Sequence, residues 1–177
     1  MPMNSILSSR MVSRRSKLQT YTAIIRPTVT YGAETWALTQ ELRRRLQVFE
    51  NSILRKIYGP VFDVDEQAWR RRHNQELRDL SGLPLITNII RSMRLRWAGH
   101  IARMGEDRTA KLVAQGKPAG RRPVGRPRMR WRNNVEEDLT TLGVEDPDSW
   151  WELAENRNIW KNIVKAAKDH HGPQPVE

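Results

Sequence analysis

The 177-residue chain holds 31 Lys/Arg against 20 Asp/Glu, a net charge of +11, with 38% hydrophobic residues, seven tryptophans and no cysteine. That is room for one domain or two small ones around a modest core, and it favours a folded chain over a disordered one. It excludes disulfides, Cys-based zinc knuckles and a Cys nucleophile, while no run approaches a membrane span or a secretory signal, so an intracellular protein, nuclear or cytoplasmic, is expected.

Residues 1–16 read as a flexible N-terminus. From residue 17 a helical apolar set, Leu18, Tyr21, Ile24 and Ile25, runs into Pro27. Proline lacks an amide donor and pushes Arg26 out of helical geometry, so a stop or kink is predicted there. The β-branched, aromatic run beyond it, to Gly32, fits either a short strand or a second helix. Leu42, Leu46, Phe49, Ile53 and Ile57 step by 4, 3, 4 and 4, which predicts a helix over 40–58. Thr39 is its expected N-cap and Gly59-Pro60 its stop. "VFDVDE", residues 61–66, reads as a loop or short extended piece, followed by a basic helix through Arg70 to Leu80 that Gly82 and Pro84 break.

A helix over about 85–104 carries Ile90, Met93, Trp97, Ile101 and Met104 as its buried stripe. Arg96, His100 and Arg103, at steps of 4 and 3, share a second, basic face. Over 105–127 the composition shifts to Gly, Pro, Lys and Arg, and that density predicts an arm without regular structure. A helix resumes near Met129 with Trp131, Val135, Leu139 and Leu142, and ends at Gly143. Ser149 with Glu152 has capping-box spacing, and Asn156 re-caps a last helix carrying Trp160, Ile163 and Val164. Residues 169–177 read as a disordered tail. The predicted fold class is mostly α: two small helical units, 17–104 and 128–168, joined by the basic arm.

The charge is unevenly placed. Residues 1–90 hold 14 Lys/Arg against 8 Asp/Glu, residues 91–132 hold 13 against 2, and residues 133–177 hold 4 against 10. A polyanion would meet the middle of the chain and be repelled by its end. In the arm Lys117, Arg121, Arg122, Arg126, Arg128, Arg130 and Arg132 follow one another without an acid, a footprint that suits phosphate contacts. Gly125-Arg126-Pro127 is close to the core of an AT-hook, although Val124 stands where such a hook has an arginine.

Trp97, Trp131 and Trp160 fall on apolar stripes and are assigned to the core. Trp36, Trp150 and Trp151 have no clear place, and Trp69, beside Arg70, Arg71 and Arg72, is the candidate for stacking on an unpaired base. The histidines show no metal-ligand spacing, so no metal or other cofactor is expected. Of the acid clusters, Asp63-Asp65-Glu66 lies in a loop. Glu136-Glu137-Asp138 complements a helix dipole and Glu145-Asp146-Asp148 precedes a helix. No nucleophile, phosphate-binding or two-metal motif stands in a suitable context, so the chain is not expected to be an enzyme.

Five ordered blocks add a family. "IIRPTVTYGAETWALT" (24–39), "RLQVFENSILRKIYGP" (45–60), "RSMRLRWAGHIARM" (91–104), "GRPRMRWRNNVEEDL" (125–139) and "WELAENRNIWKNIV" (151–164) resemble the C-terminal region of endonuclease–reverse transcriptases of non-LTR (LINE-like) retrotransposons. The resemblance covers about residues 8–170. It implies that 17–104 is a thumb-like unit and that the chain is a non-catalytic fragment gripping RNA or DNA near the polymerase of the same element. The family's aromatic-x-Asp-Asp loop, whose aspartates bind magnesium, has no counterpart here. By resemblance the contacts fall on Arg94, Arg96, His100 and Arg103 in one block and Arg126, Arg128, Arg130 and Arg132 in the other. The competing expectation is a helical interaction module that packs against a missing polymerase core and binds no nucleic acid.

Overall fold

The computed structural model describes residues 2–116 and 130–169. Among these the chain is mostly α-helical, with one two-stranded antiparallel hairpin. It forms two compact units whose division does not fall at the arm. The first comprises the residues up to Tyr31 and Gln40–Ile86; the second comprises Gly32–Thr39 and the residues from Thr87 onward.

The first unit starts earlier than residue 17. Helix α1 (Pro2–Ser8) seats Leu7 in the core, and α2 (Arg14–Thr20) opens where the Ser13 hydroxyl accepts the Ser16 amide at 3.1 Å. The segment expected to be a flexible terminus thus contains one helix and the serine-capped start of a second. Pro27 neither ends the helix nor begins a strand. A π-helical turn (Tyr21–Ile25) precedes α3 (Arg26–Val29), with the Arg26 amide bonding back to the Tyr21 carbonyl. The widened turn lets Pro27 occupy the first turn of α3, where a missing amide costs nothing.

Helix α4 (Gln40–Tyr58) ends as predicted, with Gly59 at φ 71° donating to the Arg55 carbonyl. Its Ile53, Leu54, Ile57 and Tyr58 join Leu7, Tyr21, Ile25 and Leu77 in one core, whereas Leu42 stays exposed. Glu50 is buried on the same face. Its carboxylate accepts from the Tyr21 hydroxyl at 2.7 Å, Arg26 Nη2 at 3.0 Å and the Ile86 amide at 2.9 Å. Burial and the Glu50 charge together push the Tyr21 hydroxyl far above its ordinary value.

The predicted helix through Arg70 begins late. Strands β1 (Val61–Asp63) and β2 (Ala68–Arg70) pair in register Val61↔Arg70, Phe62↔Trp69 and Asp63↔Ala68, and only then does α5 (Asn74–Ser81) start. Arg70 bolts the hairpin to that helix, its Nε 2.6 Å from Asp63 Oδ2 and its Nη2 2.9 Å from Glu76 Oε1. Glu76 also accepts the His73 amide at 2.7 Å, which caps α5.

The Arg70 hydrogen bonds, then the His73 amide, hold the Glu76 carboxyl down at about 2. Asp63 is lowered in the same direction, first by Arg70. The unfolded chain takes up these protons near the ordinary carboxylate values and the folded chain only at lower pH. The clamp's contribution is therefore complete above about pH 4.5 and is lost as pH falls toward about 2. Carboxyl carbon shifts of Glu76 followed by NMR should titrate far below those of an exposed glutamate, and the protection of the His73 amide relative to its intrinsic exchange rate should fall over the same window. A Glu76 midpoint at the ordinary value would show that the clamp is not formed in solution.

In the second unit α6 (Ile86–Ala102) is covered on more than one face: Ile90, Leu95, Ala98, Ile101 and Ala102 are buried, and so are Asn88, Ser92 and Arg94. Helix α7 (Thr109–Gln115) occupies part of the segment expected to lack regular structure. "TAKLVAQ" contains neither Gly nor Pro, because the breakers lie at Gly105 and from Gly116 onward. Lys111 fixes it by donating to the Met104 carbonyl at 2.9 Å and pairing with Glu106 at 2.7 Å.

Helix α8 (Trp131–Thr141) ends at Gly143, φ 78°, where the Val144 amide reaches back to the Leu139 carbonyl at 3.1 Å. Ser149 does not cap its neighbour, since its hydroxyl turns to the Asp146 carbonyl and it sits in a 3₁₀ turn ahead of α9 (Trp150–Glu155). Asn156 does cap α10 (Arg157–Asp169), accepting the Asn158 and Ile159 amides at 3.1 and 3.2 Å. The core gathers Leu95, Ala98, Val135, Leu139, Trp150, Ala154, Trp160 and Ala167. Trp150, unplaced by sequence, lies at its centre between Trp151, stacked at 4.1 Å, and Trp131, edge-on at 6.5 Å.

The segment 32–39 belongs here because α8 holds its backbone. Trp131 Nε1 donates to the Glu34 carbonyl at 2.6 Å and Asn134 Nδ2 to the Leu38 carbonyl at 3.2 Å, while Ala33 and Leu38 are buried.

Candidate nucleic-acid interface

Steps of four and three residues put Arg96, His100 and Arg103 on one face of α6, and the structure keeps them together. They line a groove of about 470 Å³ with Glu34, Met93 and Trp97. Arg96 and His100 are exposed, and the His100 ring tilts against Trp97 with centroids 5.4 Å apart. Cations beside an aromatic wall suit an anionic, partly aromatic ligand. The Glu34 carboxylate is the one acid lining this groove among the described residues.

Arg103 has a second task. Its Nη1 donates to the Ala154 carbonyl and so satisfies the last turn of α9. Burial first, then the neighbouring charge of Arg157, lowers its pKa. Arg157, on α10, is thus a cation whose charge is felt at Arg103 and that no local pattern pointed to.

Arg94 does not belong to the set. It is 1% exposed, and its Nη1 lies 2.8 Å from Asp138 Oδ2, while Arg91 Nε meets Asp138 Oδ1 at 3.1 Å. Neither the helical dipole reading of Asp138 nor the phosphate reading of Arg94 survives this pairing. Position 94 faces inward on α6, and a buried arginine there requires a buried acid.

Arg130 and Arg132 flank Trp131 at the start of α8, and both are exposed. Arg132 Nε pairs with Glu136 at 2.8 Å, so part of the charge at the end of the arm has a local partner. Next to them lies a larger, mostly apolar groove of about 680 Å³ lined by Trp97, Ile101, Ala110, Val113 and Trp131, among others. Trp97 and Trp131 are half-buried walls of this groove, Trp131 also packing against the second core; of the three tryptophans assigned to the core, Trp160 alone is fully enclosed. Lys117, Arg121, Arg122, Arg126 and Arg128 lie outside the described residues. Trp69, on β2 of the first unit, is 69% exposed.

No helix among the described residues is long and apolar enough to cross a membrane. No family model and no solved structure matches the chain. It is 26% identical over 158 residues to an uncharacterised transposon-derived protein of Caenorhabditis elegans. The match covers 88% of this chain and 56% of the relative, so the chain spans little more than half the length of that protein. The likeness points to a transposable-element origin for this sequence.

Proposed function

We propose that the chain is the C-terminal, post-polymerase part of a non-LTR retrotransposon reverse transcriptase, and that it grips RNA or DNA without catalysing a reaction itself. The observation that carries this reading is the coincidence of charge and exposure. The segment 91–132 holds 13 Lys/Arg against 2 Asp/Glu, and its α6 face presents exposed Arg96 and His100 beside the ring of Trp97. Phosphates and condensed counterions make such a contact steeply salt-dependent and weakly sequence-selective. The transposon-derived relative and the five family-like blocks support assigning the chain to such an element.

Fluorescence anisotropy against labelled RNA, single-stranded DNA and duplex DNA tests it. Binding should weaken roughly tenfold for every two phosphate contacts between 50 and 200 mM salt. A variant with Arg121, Arg122, Arg126, Arg128, Arg130 and Arg132 changed to Ala should show a clearly shallower slope. Equal binding by the two proteins would remove the arm from the interface, and no binding by either at low salt would sink the reading.

The second reading, an interaction module seated on a polymerase core, is favoured by exposed Leu112 and Val113 on α7 beside the apolar groove. Salt-insensitive association with that core, without affinity for nucleic acid, would establish it instead.

A further inference from the structure

The first unit holds a second basic cleft, of about 440 Å³, between the last turns of α4 and the hairpin. Arg55, Lys56, Arg71 and Arg72 line it, with Trp69 at its edge. Two of these guanidinium groups are fixed by acceptors that do not neutralise them. Arg55 donates to the Arg72 carbonyl at 3.2 Å and to Asn74 Oδ1 at 2.7 Å, and Arg72 donates to the Gly59 carbonyl at 3.1 Å. Among the described residues no carboxylate forms an ion pair with Arg55, Arg71 or Arg72; the nearby Asp63 and Glu76 are both held by Arg70. Arg55 is lowered from its ordinary pKa by burial and then by the charge of Arg71, the mark of cations crowded without a counter-charge.

Trp69 completes the chemistry. The antiparallel register sets it opposite Phe62, whose ring meets it edge-on at 5.5 Å and leaves the indole largely open to solvent. An aromatic face held firm beside fixed cations matches a base and its flanking phosphates. A duplex hides its base faces, so the fit is to an unpaired strand. The acids Asp65 and Glu66 at the hairpin tip repel a phosphate backbone, which directs the strand from Trp69 toward Arg71 and Arg55 rather than over the tip.

We infer that this cleft is a second nucleic-acid site, specific for single strands, in which Trp69 stacks on one unpaired base while Arg55, Lys56, Arg71 and Arg72 hold the adjacent phosphates. This rests on the reading of the chain as a nucleic-acid binder and adds a contact in the other unit.

The test uses the full chain, labelled octamers of uridine and of thymidine, and a blunt duplex. Trp69→Ala should weaken single-strand binding by about tenfold and leave duplex binding unchanged, and Trp69→Phe should restore most of the loss. Arg71→Ala should make the single-strand salt slope shallower by about one phosphate contact's worth, roughly 0.7 in log–log terms. Because Trp69 and Arg71 are exposed, Arg71→Ala should leave the unfolding midpoint in place, and Trp69→Ala should lower it only by the loss of the Phe62–Trp69 pair, which Trp69→Phe keeps. Loss of duplex and single-strand binding in equal measure on Trp69→Ala would overturn the inference, as would unchanged binding by both variants. Failure of the unaltered chain to bind any nucleic acid would instead overturn the reading beneath it.

Discussion

Asp138→Ala should lower the unfolding free energy by about 3–5 kcal/mol, measured by urea denaturation. Asp138 is 2% exposed and takes Arg94 at 2.8 Å on one oxygen and Arg91 at 3.1 Å on the other. Deleting the carboxylate leaves the enclosed, charged Arg94 guanidinium without the Asp138 oxygen it donates to, and that loss is what the measurement would report. A domain stable by about 5–15 kcal/mol would be left marginal. The companion double variant, Arg94→Met with Asp138→Leu, removes the enclosed pair and leaves only the less buried Arg91 without Asp138, so it should recover part of the loss and the two sites should be strongly non-additive. A single variant within about 0.5 kcal/mol of the parent would show that the pair is solvated and would return Arg94 to the candidate contacts.

Gly99→Ala is the second large effect, and its sign is diagnostic. In an open helix interior this change stabilises by about 1 kcal/mol. Here a Cβ at position 99 would fall well inside contact distance of Nε1 and Cδ1 of Trp160. That indole lies against α6 and donates to the Leu95 carbonyl at 2.7 Å. It has little room to retreat, being 2% exposed with Trp150 packed 6.1 Å away. Displacing it overpacks the core and leaves a buried N–H unpaired, for a combined loss of about 2–5 kcal/mol. Urea unfolding gives the magnitude, and the Trp160 indole proton in an NMR spectrum should shift or broaden. A variant more stable than the parent would mean that α6 and α10 do not approach this closely.

Helix α4 was legible because one face carries an unbroken apolar period and Gly59 marks its end. The basic triad Arg96, His100 and Arg103 was legible for the same reason: spacing fixes a face whatever lies opposite. Arg94 was not, since a helix covered on several sides hides polar residues that a single-stripe reading assigns to solvent. Asp138 looked like an ordinary acid in an acidic run, and its partners stand 44 and 47 residues away. The hairpin was half seen. Its strands are three residues each, and the turn between them places Gln67 at φ 52°, where the sequence offers no glycine as a signal. Helix α7 was lost by pooling seven helix-competent residues with the Gly and Pro around them. In the 680 Å³ groove, Trp97 and Trp131 sit on true apolar stripes, but periodicity does not say whether a stripe meets a partner or an opening.

The excursion of residues 32–39 bears on how the chain is made. Trp131 and Asn134 grip carbonyls 97 and 96 residues earlier in the sequence. At about 5–20 residues per second, a ribosome exposes Gly32–Thr39 several seconds before α8 exists to receive it. The first unit, whose chain runs only to Ile86, has emerged in full by then. The second unit cannot close until the far side of the arm has emerged, and contacts of such high sequence separation form slowly. Biosynthesis therefore imposes an order on the two units, and chains arrested within the arm would carry a finished first unit and an unclaimed eight-residue loop.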